Sequence, residues 1–314
     1  MKKWTILLVL ISALFLIAGC EEPAEEEAPD EAAETADGSK GLFYRVEGGE
    51  NDLYLFGTLH FGEAGMYPLH EKVYDALEKA DVLGLELDLA EVSDAELNEK
   101  MARIGFFQDD TEITDIISEQ LFEEFFLLVD GPGIEREMLK DYKPWFAAFE
   151  LSILAILEAG YDPEAGVENY LLERAEEKEM EVIGLETVSE QFAPFEKLSD
   201  QSQALYLEQT IEEYEKAEEG LEEMFYNWKK GNVEAYTEDR EEMIEEAETE
   251  SLREFQKAFT HERDKHMAQQ LEALLTDDTG HDYFIAVGSL HLAGKNSIVD
   301  YLDQKGYEVI NMYQ

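Results

Sequence analysis

In a chain of 314 residues, 75 aspartates and glutamates stand against 24 lysines and arginines, giving a formal net charge of −51. That balance excludes nucleic acid as a partner, because contacts to phosphates need a basic footprint. Cys20 is the single cysteine, which excludes an intrachain disulfide.

Residues 1–19 read as a secretory signal. Lys2 and Lys3 supply a positive start, and Ile6 to Ile17 an apolar run too short for a stable membrane span. No later apolar run is long enough to span a bilayer. The signal ends in Ile17-Ala18-Gly19-Cys20, which resembles the bacterial lipobox, where cleavage before Cys20 is followed by acylation of its thiol. Several acyl chains anchor firmly through burial of their CH₂ groups. The expected location is therefore the outer face of the cytoplasmic membrane, or the periplasmic face where there are two membranes. The plainer alternative is an ordinary signal peptide beside an incidental cysteine. Residues 20–40 are rich in Glu, Asp, Ala and Pro and are expected to form a disordered tether, since they bury too little surface to offset their ordering entropy. An acidic surface poor in lysine fits an exported protein of a salt-loving or alkaline-living bacterium.

Residues 41–314 suffice for one large domain with its own core. Leu42 to Val46 and Leu53 to Phe56 flank Gly48-Gly49-Glu50-Asn51-Asp52 and predict a β-hairpin. Val73 to Ala80 has helical spacing, and Val82 to Leu87 reads as a short buried strand. From Asp94 to about residue 178 the pattern is mainly helical, broken at Asp109-Asp110 and Gly131-Pro132-Gly133, with Pro144 opening a further helix. Glu181 to Leu185 is the next strand. Residues 198–274 form a second, strongly charged helical insertion, read as an antiparallel pair broken near Gly231-Asn232 with its acidic residues on solvated faces. Strand Tyr283 to Val287, helix Ser297 to Leu302 and strand Tyr307 to Met312 close the chain. Strands alternating with helices predict an α/β sheet with large helical insertions.

Two internal echoes point to chemistry. Gly57-Thr58-Leu59-His60 and Gly288-Ser289-Leu290-His291 each follow an apolar strand. Such a recurrence arises by chance with a probability on the order of one percent. Val82-Leu83-Gly84-Leu85-Glu86 is echoed by Val182-Ile183-Gly184-Leu185-Glu186. Alone, a histidine after a strand usually caps a turn, and a glutamate there usually meets solvent. Ligands of open α/β sheets bind at the carboxyl ends of the strands, however, and two imidazoles with two carboxylates there suit a divalent metal with open positions for water. His70 and His281 read as structural, and His261 and His266 as surface groups on a polar helix.

These features together resemble the TraB/GumN family, which includes the TIKI proteases that cleave Wnt proteins. The resemblance runs from about Leu42 to Tyr313. It rests on the paired Gly-x-x-His motifs, on Leu85-Glu86-Leu87-Asp88, on Lys143-Pro144-Trp145, on Gly166-Val167-Glu168 and on Leu185-Glu186-Thr187 followed by Gln191. Arg263-Asp264 with Met267 resembles the family's Arg-Asn-x-x-Met helix, with aspartate in place of asparagine; Gly294 and Gly306-Tyr307-Glu308-Val309 complete the pattern. The resemblance implies a fold similar to erythromycin esterase and ChaN-like proteins, with two related strand–(Gly-x-x-His)–helix–strand units. It also implies metal-dependent peptidase activity, helped in the TIKI members by manganese or cobalt.

The leading expectation is thus a metal-dependent hydrolase acting on a peptide or protein substrate. His60 and His291 would hold the cation, with Glu86 as a third ligand or as the base. Glu86 or Glu186 would take the proton of the attacking water, and Arg263 would stabilise an oxyanion or clamp a substrate carboxylate. Manganese or cobalt is favoured, with zinc and iron open. A non-catalytic tethered lipoprotein binding a peptide or small molecule is the alternative, and a scaffold holding its helical arm near the membrane is a third reading.

Overall fold

Six short apolar runs pair into one mixed sheet in a computed structural model that describes residues 38–87, 94–131 and 134–314. The signal segment, Cys20, the tether up to residue 37, Asp88 and the break at Pro132-Gly133 lie outside the described residues. The strands are β1 (Leu42–Glu47), β2 (Leu53–Thr58), β3 (Val82–Leu87), β4 (Glu181–Glu186), β5 (Tyr283–Gly288) and β6 (Glu308–Asn311). Their order across the sheet is β4-β3-β5-β2-β1-β6. The predicted hairpin is present: β1 lies antiparallel to β2, with Val46 opposite Leu53, and antiparallel to β6 on its other side. β2, β5, β3 and β4 run parallel to one another.

β2, β3 and β5 are buried along their whole length, which is why they read as unbroken apolar runs and not as alternating ones. β4 and β6 lie at the two edges and start with exposed glutamates, which blunt an open strand edge. The parallel register sets Thr58 opposite Gly288, Leu85 opposite Ala286 and Leu87 opposite Glu186. All the polar strand ends singled out in the sequence therefore emerge on one side of the sheet.

Helix α1 (Glu71–Lys79) joins β2 to β3, and His70 caps it, its Nδ1 accepting from the Lys72 N–H at 3.1 Å. Between β3 and β4 lie α2 (Asp94–Gly105), α3 (Ile113–Ile116), α4 (Glu119–Val129), α5 (Pro144–Glu158) and α6 (Val167–Glu177). Pro144 stands in the first turn of α5, where its missing N–H costs nothing. α5 is apolar on nearly every side and accordingly central.

The stretch between β4 and β5 holds α7 (Val188–Glu196), α8 (Asp200–Glu213), α9 (Ala217–Lys230), α10 (Val233–Glu245), α11 (Glu250–Lys257) and α12 (Arg263–Thr276), with a π-helical turn over Ala258–Glu262. The expected break occurs at Gly231, in left-handed conformation with φ 65°. An antiparallel pair is nevertheless too simple. Thr249 caps a new helix by accepting from the Leu252 N–H, so the stretch holds further helices beyond the expected two. Its charged residues are not all solvated either, because Arg240, Arg263 and Asp264 are buried. Helix α13 (Ile298–Gln304) links β5 to β6.

One core packs both faces of the sheet, and a second joins the helices through aromatic contacts such as Trp145 stacked on Phe195 at 4.4 Å. Ser39 is tied to the domain by its N–H, which donates to the carbonyl of Pro68 at 2.9 Å.

Candidate functional site

The peptide after β2 carries His60, and a short 3-10 turn after β5, Ser289–Leu292, carries His291. Glu86 is the last residue but one of β3 and Glu186 the last of its parallel neighbour β4, while Arg263 enters from the start of α12. The structure brings all five together. None of them is more than 7% exposed.

Glu86 is the centre of the cluster. Its Oε1 accepts from the Gly288 N–H at 2.6 Å and faces His291 Nε2 at 3.6 Å and His60 Nε2 at 4.0 Å. Its Oε2 accepts from Arg263 Nη2 at 2.7 Å and from Gln191 Nε2 at 3.1 Å. Burial alone would push this carboxyl up, but the neighbouring His291, Arg263 and His60 and the Gly288 N–H outweigh it and hold it at about 2. Glu186 uses both oxygens on Arg263, at 2.6 to 3.2 Å. For Arg263, burial works against the charge, and Glu186 and Glu86 more than restore it. Its Nη1 has no hydrogen-bond partner among the described residues, and the guanidinium lies over the ring of Phe259 at 5.0 Å.

Each imidazole is held from behind by a second carboxylate. His60 Nδ1 lies 2.8 Å from Glu168 Oε1, and that carboxylate also accepts from the Thr58 hydroxyl. His291 Nδ1 is hydrogen-bonded to Asp264. A carboxylate at Nδ1 places the proton there and leaves Nε2 as a lone pair directed at the site, the usual device for orienting a metal-binding imidazole. For His60, burial opposes protonation, but Glu168 and then Glu86 outweigh it and raise its pKa.

Glycines shape the same space. An added Cβ at Gly288 would lie 3.2 Å from Glu86 Oε1, 3.3 Å from His60 Nε2 and 3.5 Å from His291 Cδ2. One at Gly166 would strike the His60 carbonyl at 2.6 Å, which is why glycine stands where α6 presses against the histidine loop. The adjoining Val167 N–H donates to the Leu59 carbonyl at 2.9 Å, so the Gly166-Val167-Glu168 segment fixes both the backbone and the ring of His60.

Among the described residues, no three His, Cys, Asp or Glu side chains form a metal site as they stand. The donor set still fits a divalent cation. Donors each about 2.0–2.2 Å from one ion stand no more than about 4.4 Å apart, and His60 Nε2 and His291 Nε2 lie 4.0 and 3.6 Å from Glu86 Oε1. Among the described residues His291 Nε2 is buried without a hydrogen-bond partner, and Gly288 puts no side chain of its own between these donors. A surface concavity of about 430 Å³, lined by Arg45, Asn51, Asp52 and Asp282 among others, lies at the opposite ends of the strands, away from this chemistry.

Glu168, Gln191 and Asp264 stood in the sequence as parts of motifs without a role, and Arg240 was not singled out. The Thr58 and Ser289 of the two echoes have partners as well: the Thr58 hydroxyl reaches Glu168, and the Ser289 hydroxyl donates to the Thr58 carbonyl at 2.9 Å. His261 sits beside Asn296 and His266 beside Glu190, both half-buried and not fully solvated as expected.

The TraB/PrgY/gumN family matches residues 42–310. An uncharacterized protein, YbaP of Escherichia coli (strain K12), is 24% identical over 250 residues, covering 80% of this chain and 87% of that protein. Metalloprotease TIKI1 of Danio rerio is 21% identical over 300 residues, 82% of this chain and 60% of its own length. Metalloprotease TIKI2 of Xenopus tropicalis is 25% identical over 160 residues, 45% of this chain and 31% of its own. No solved structure matches the chain.

Proposed function

Since the chain belongs to the TraB/PrgY/gumN family, we propose that it is a divalent-metal-dependent hydrolase that cleaves peptide bonds. One observation carries the reading: two imidazoles, each backed by a carboxylate at Nδ1, turn Nε2 toward one oxygen of Glu86 beside a glycine. The similarity to two proteins named metalloproteases supports it.

His60, His291 and Glu86 would hold the ion, with manganese or cobalt favoured and zinc or iron open. When bound, the ion supplies Lewis acidity and a nucleophile at neutral pH. Glu86 Oε2 is fixed by Arg263 and Gln191, which keeps Oε1 facing the imidazoles. Arg263 Nη1, without a hydrogen-bond partner among the described residues, is the donor suited to a developing oxyanion or a substrate carboxylate. Glu186 holds the guanidinium with both oxygens, so of the two carboxylates Glu86 is the one that faces the imidazoles, and it would take a proton only in place of serving as a ligand.

The alternative, a non-catalytic lipoprotein that binds a peptide or small molecule, has the enclosure of the cluster in its favour. With His291 and Glu86 each 1% exposed, a peptide carbonyl reaches them only after neighbouring elements open. Either way, the erythromycin esterase/ChaN-like fold, the lipid anchor at Cys20, the extracytoplasmic location and a salt-adapted acidic surface belong to the same proposal.

Elemental analysis of the chain purified without chelator, beside a His60→Ala/His291→Ala variant, tests the reading. Near-stoichiometric metal lost in the variant is expected, followed by peptide hydrolysis that depends on that metal. No metal in either protein, even after exposure to excess Mn²⁺ or Co²⁺, would move the assignment to the binding lipoprotein.

A further inference from the structure

Arg240 lies on α10, in the acidic helical stretch, yet it is only 1% exposed. Its Nη2 donates to Asp264 Oδ2 at 2.6 Å and to the Asn296 carbonyl at 3.0 Å, while Nη1 donates to the Leu290 carbonyl at 2.6 Å. The other oxygen of Asp264 holds His291 Nδ1. One guanidinium therefore grips the peptide immediately before His291, the far end of the loop that carries it and the carboxylate behind its ring. The loop also leans on α10 itself: an added Cβ at Gly294 would lie 3.3 Å from Thr237 Cγ2 and 3.7 Å from Arg240 Cδ.

We infer that the Arg240–Asp264 pair is the positioning device for His291, fixing both the direction of its ring and the tautomer that leaves Nε2 unprotonated. The physical argument is one of counter-charge and geometry. A carboxylate 0% exposed needs a partner that desolvates with it, and a guanidinium can answer it while Nη1 and Nη2 also donate to carbonyls; its Nε has no hydrogen-bond partner among the described residues. The carboxylate can only accept, so it dictates a proton on Nδ1. At His60 the equivalent carboxylate, Glu168, takes a hydroxyl from Thr58 instead. The two rings of the site are thus held by different means, one by an ion pair reaching in from the helical stretch and the other by a neutral group on its own strand. Arg240 spends its hydrogen bonds on Asp264 and on the carbonyls of Leu290 and Asn296, and so acts through Asp264 and the loop.

The inference rests on the metal-dependent reading for its consequence, though not for its geometry. The test uses the full chain carrying Arg240→Met/Asp264→Leu, which removes both charges together and so avoids stranding one of them in the core. Arg240→Met is prepared beside it. Thermal unfolding establishes that each protein is folded. Co²⁺ titration followed by visible absorption is expected to show binding about 10–100-fold weaker in the double variant, with an altered ligand-field spectrum. In metal-free protein, imidazole ¹⁵N shifts are expected to show His291 as the Nδ1–H tautomer in the parent chain and as a mixture in the double variant. Parent-like Co²⁺ affinity together with an unchanged tautomer in the folded double variant would overturn the inference. Should the parent chain bind no Co²⁺, the metal-dependent reading fails, and the tautomer measurement by itself decides whether the pair positions His291.

Discussion

Gly288→Ala probes the space that the donor atoms share. Gly288 has φ −51° and ψ 138°, a conformation open to any L-residue, so the change adds no backbone strain. The new methyl group would lie 3.2 Å from Glu86 Oε1, 3.3 Å from His60 Nε2 and 3.5 Å from His291 Cδ2. None of these groups can easily give way. Glu86 is tied by Arg263, Gln191 and the Gly288 N–H itself, and His60 and His291 are tied by Glu168 and Asp264. Overpacking of this kind costs about 1–3 kcal/mol. With ~2 cal/mol/K of unfolding entropy per residue over a domain of roughly 270 residues, Tm should fall by about 2–5 °C. Metal binding should suffer far more, by a factor beyond the about 10–100-fold typical of changes behind the ligands. Circular dichroism on the metal-free variant reads the first effect, and calorimetric titration with Mn²⁺ and Co²⁺ reads the second. A folded variant that binds both ions as tightly as the parent chain would refute the idea that the ion lies between these donors.

Three further outcomes follow from groups elsewhere in the chain. Burial pushes the Glu150 carboxyl on α5 from 4.5 up to about 7, so its share of stability is complete below pH 4.5 and is lost as pH rises through about 7. Glu150→Gln should therefore raise stability at pH 8 by about 2–3 kcal/mol and leave it unchanged at pH 4; equal effects in urea denaturation at both values would contradict this. A net charge of −51 should make Tm climb between about 0.01 and about 1 M NaCl, as the Debye length shrinks from about 30 to about 3 Å, and a flat profile would remove the case for salt adaptation. Cys20→Ala should shift the protein from the detergent to the aqueous phase in a phase-partition assay, and retention in the detergent phase would argue against the lipid anchor.

His60, Glu86, Glu186 and His291 were legible because a parallel sheet does local work with global effect. Each strand is a short apolar run that ends in a polar group, and parallel neighbours deliver those ends to one side. Reading the strands was enough to gather the residues, with no knowledge of which strand lies beside which. The order itself was not legible. β5 is inserted between β2 and β3, although the whole chain from Asp88 to Asp282 intervenes after β3, and nothing in its composition announces that place.

The chain by itself also determined the hairpin, the helix starts at Pro144 and after Gly231, and the two Gly-x-x-His units, all of which depend on neighbours a few residues away. Only the tertiary structure decided what holds those groups in place. Asp264 is one of 75 acidic residues and Arg240 one of 24 basic ones, and on a helical stretch dense in charge both look solvated. They are buried because each finds its counter-charge on another helix, and Glu168 because α6 starts against the His60 loop. A buried ion pair between remote segments leaves no period in the sequence, since its energy depends on what surrounds both partners at once.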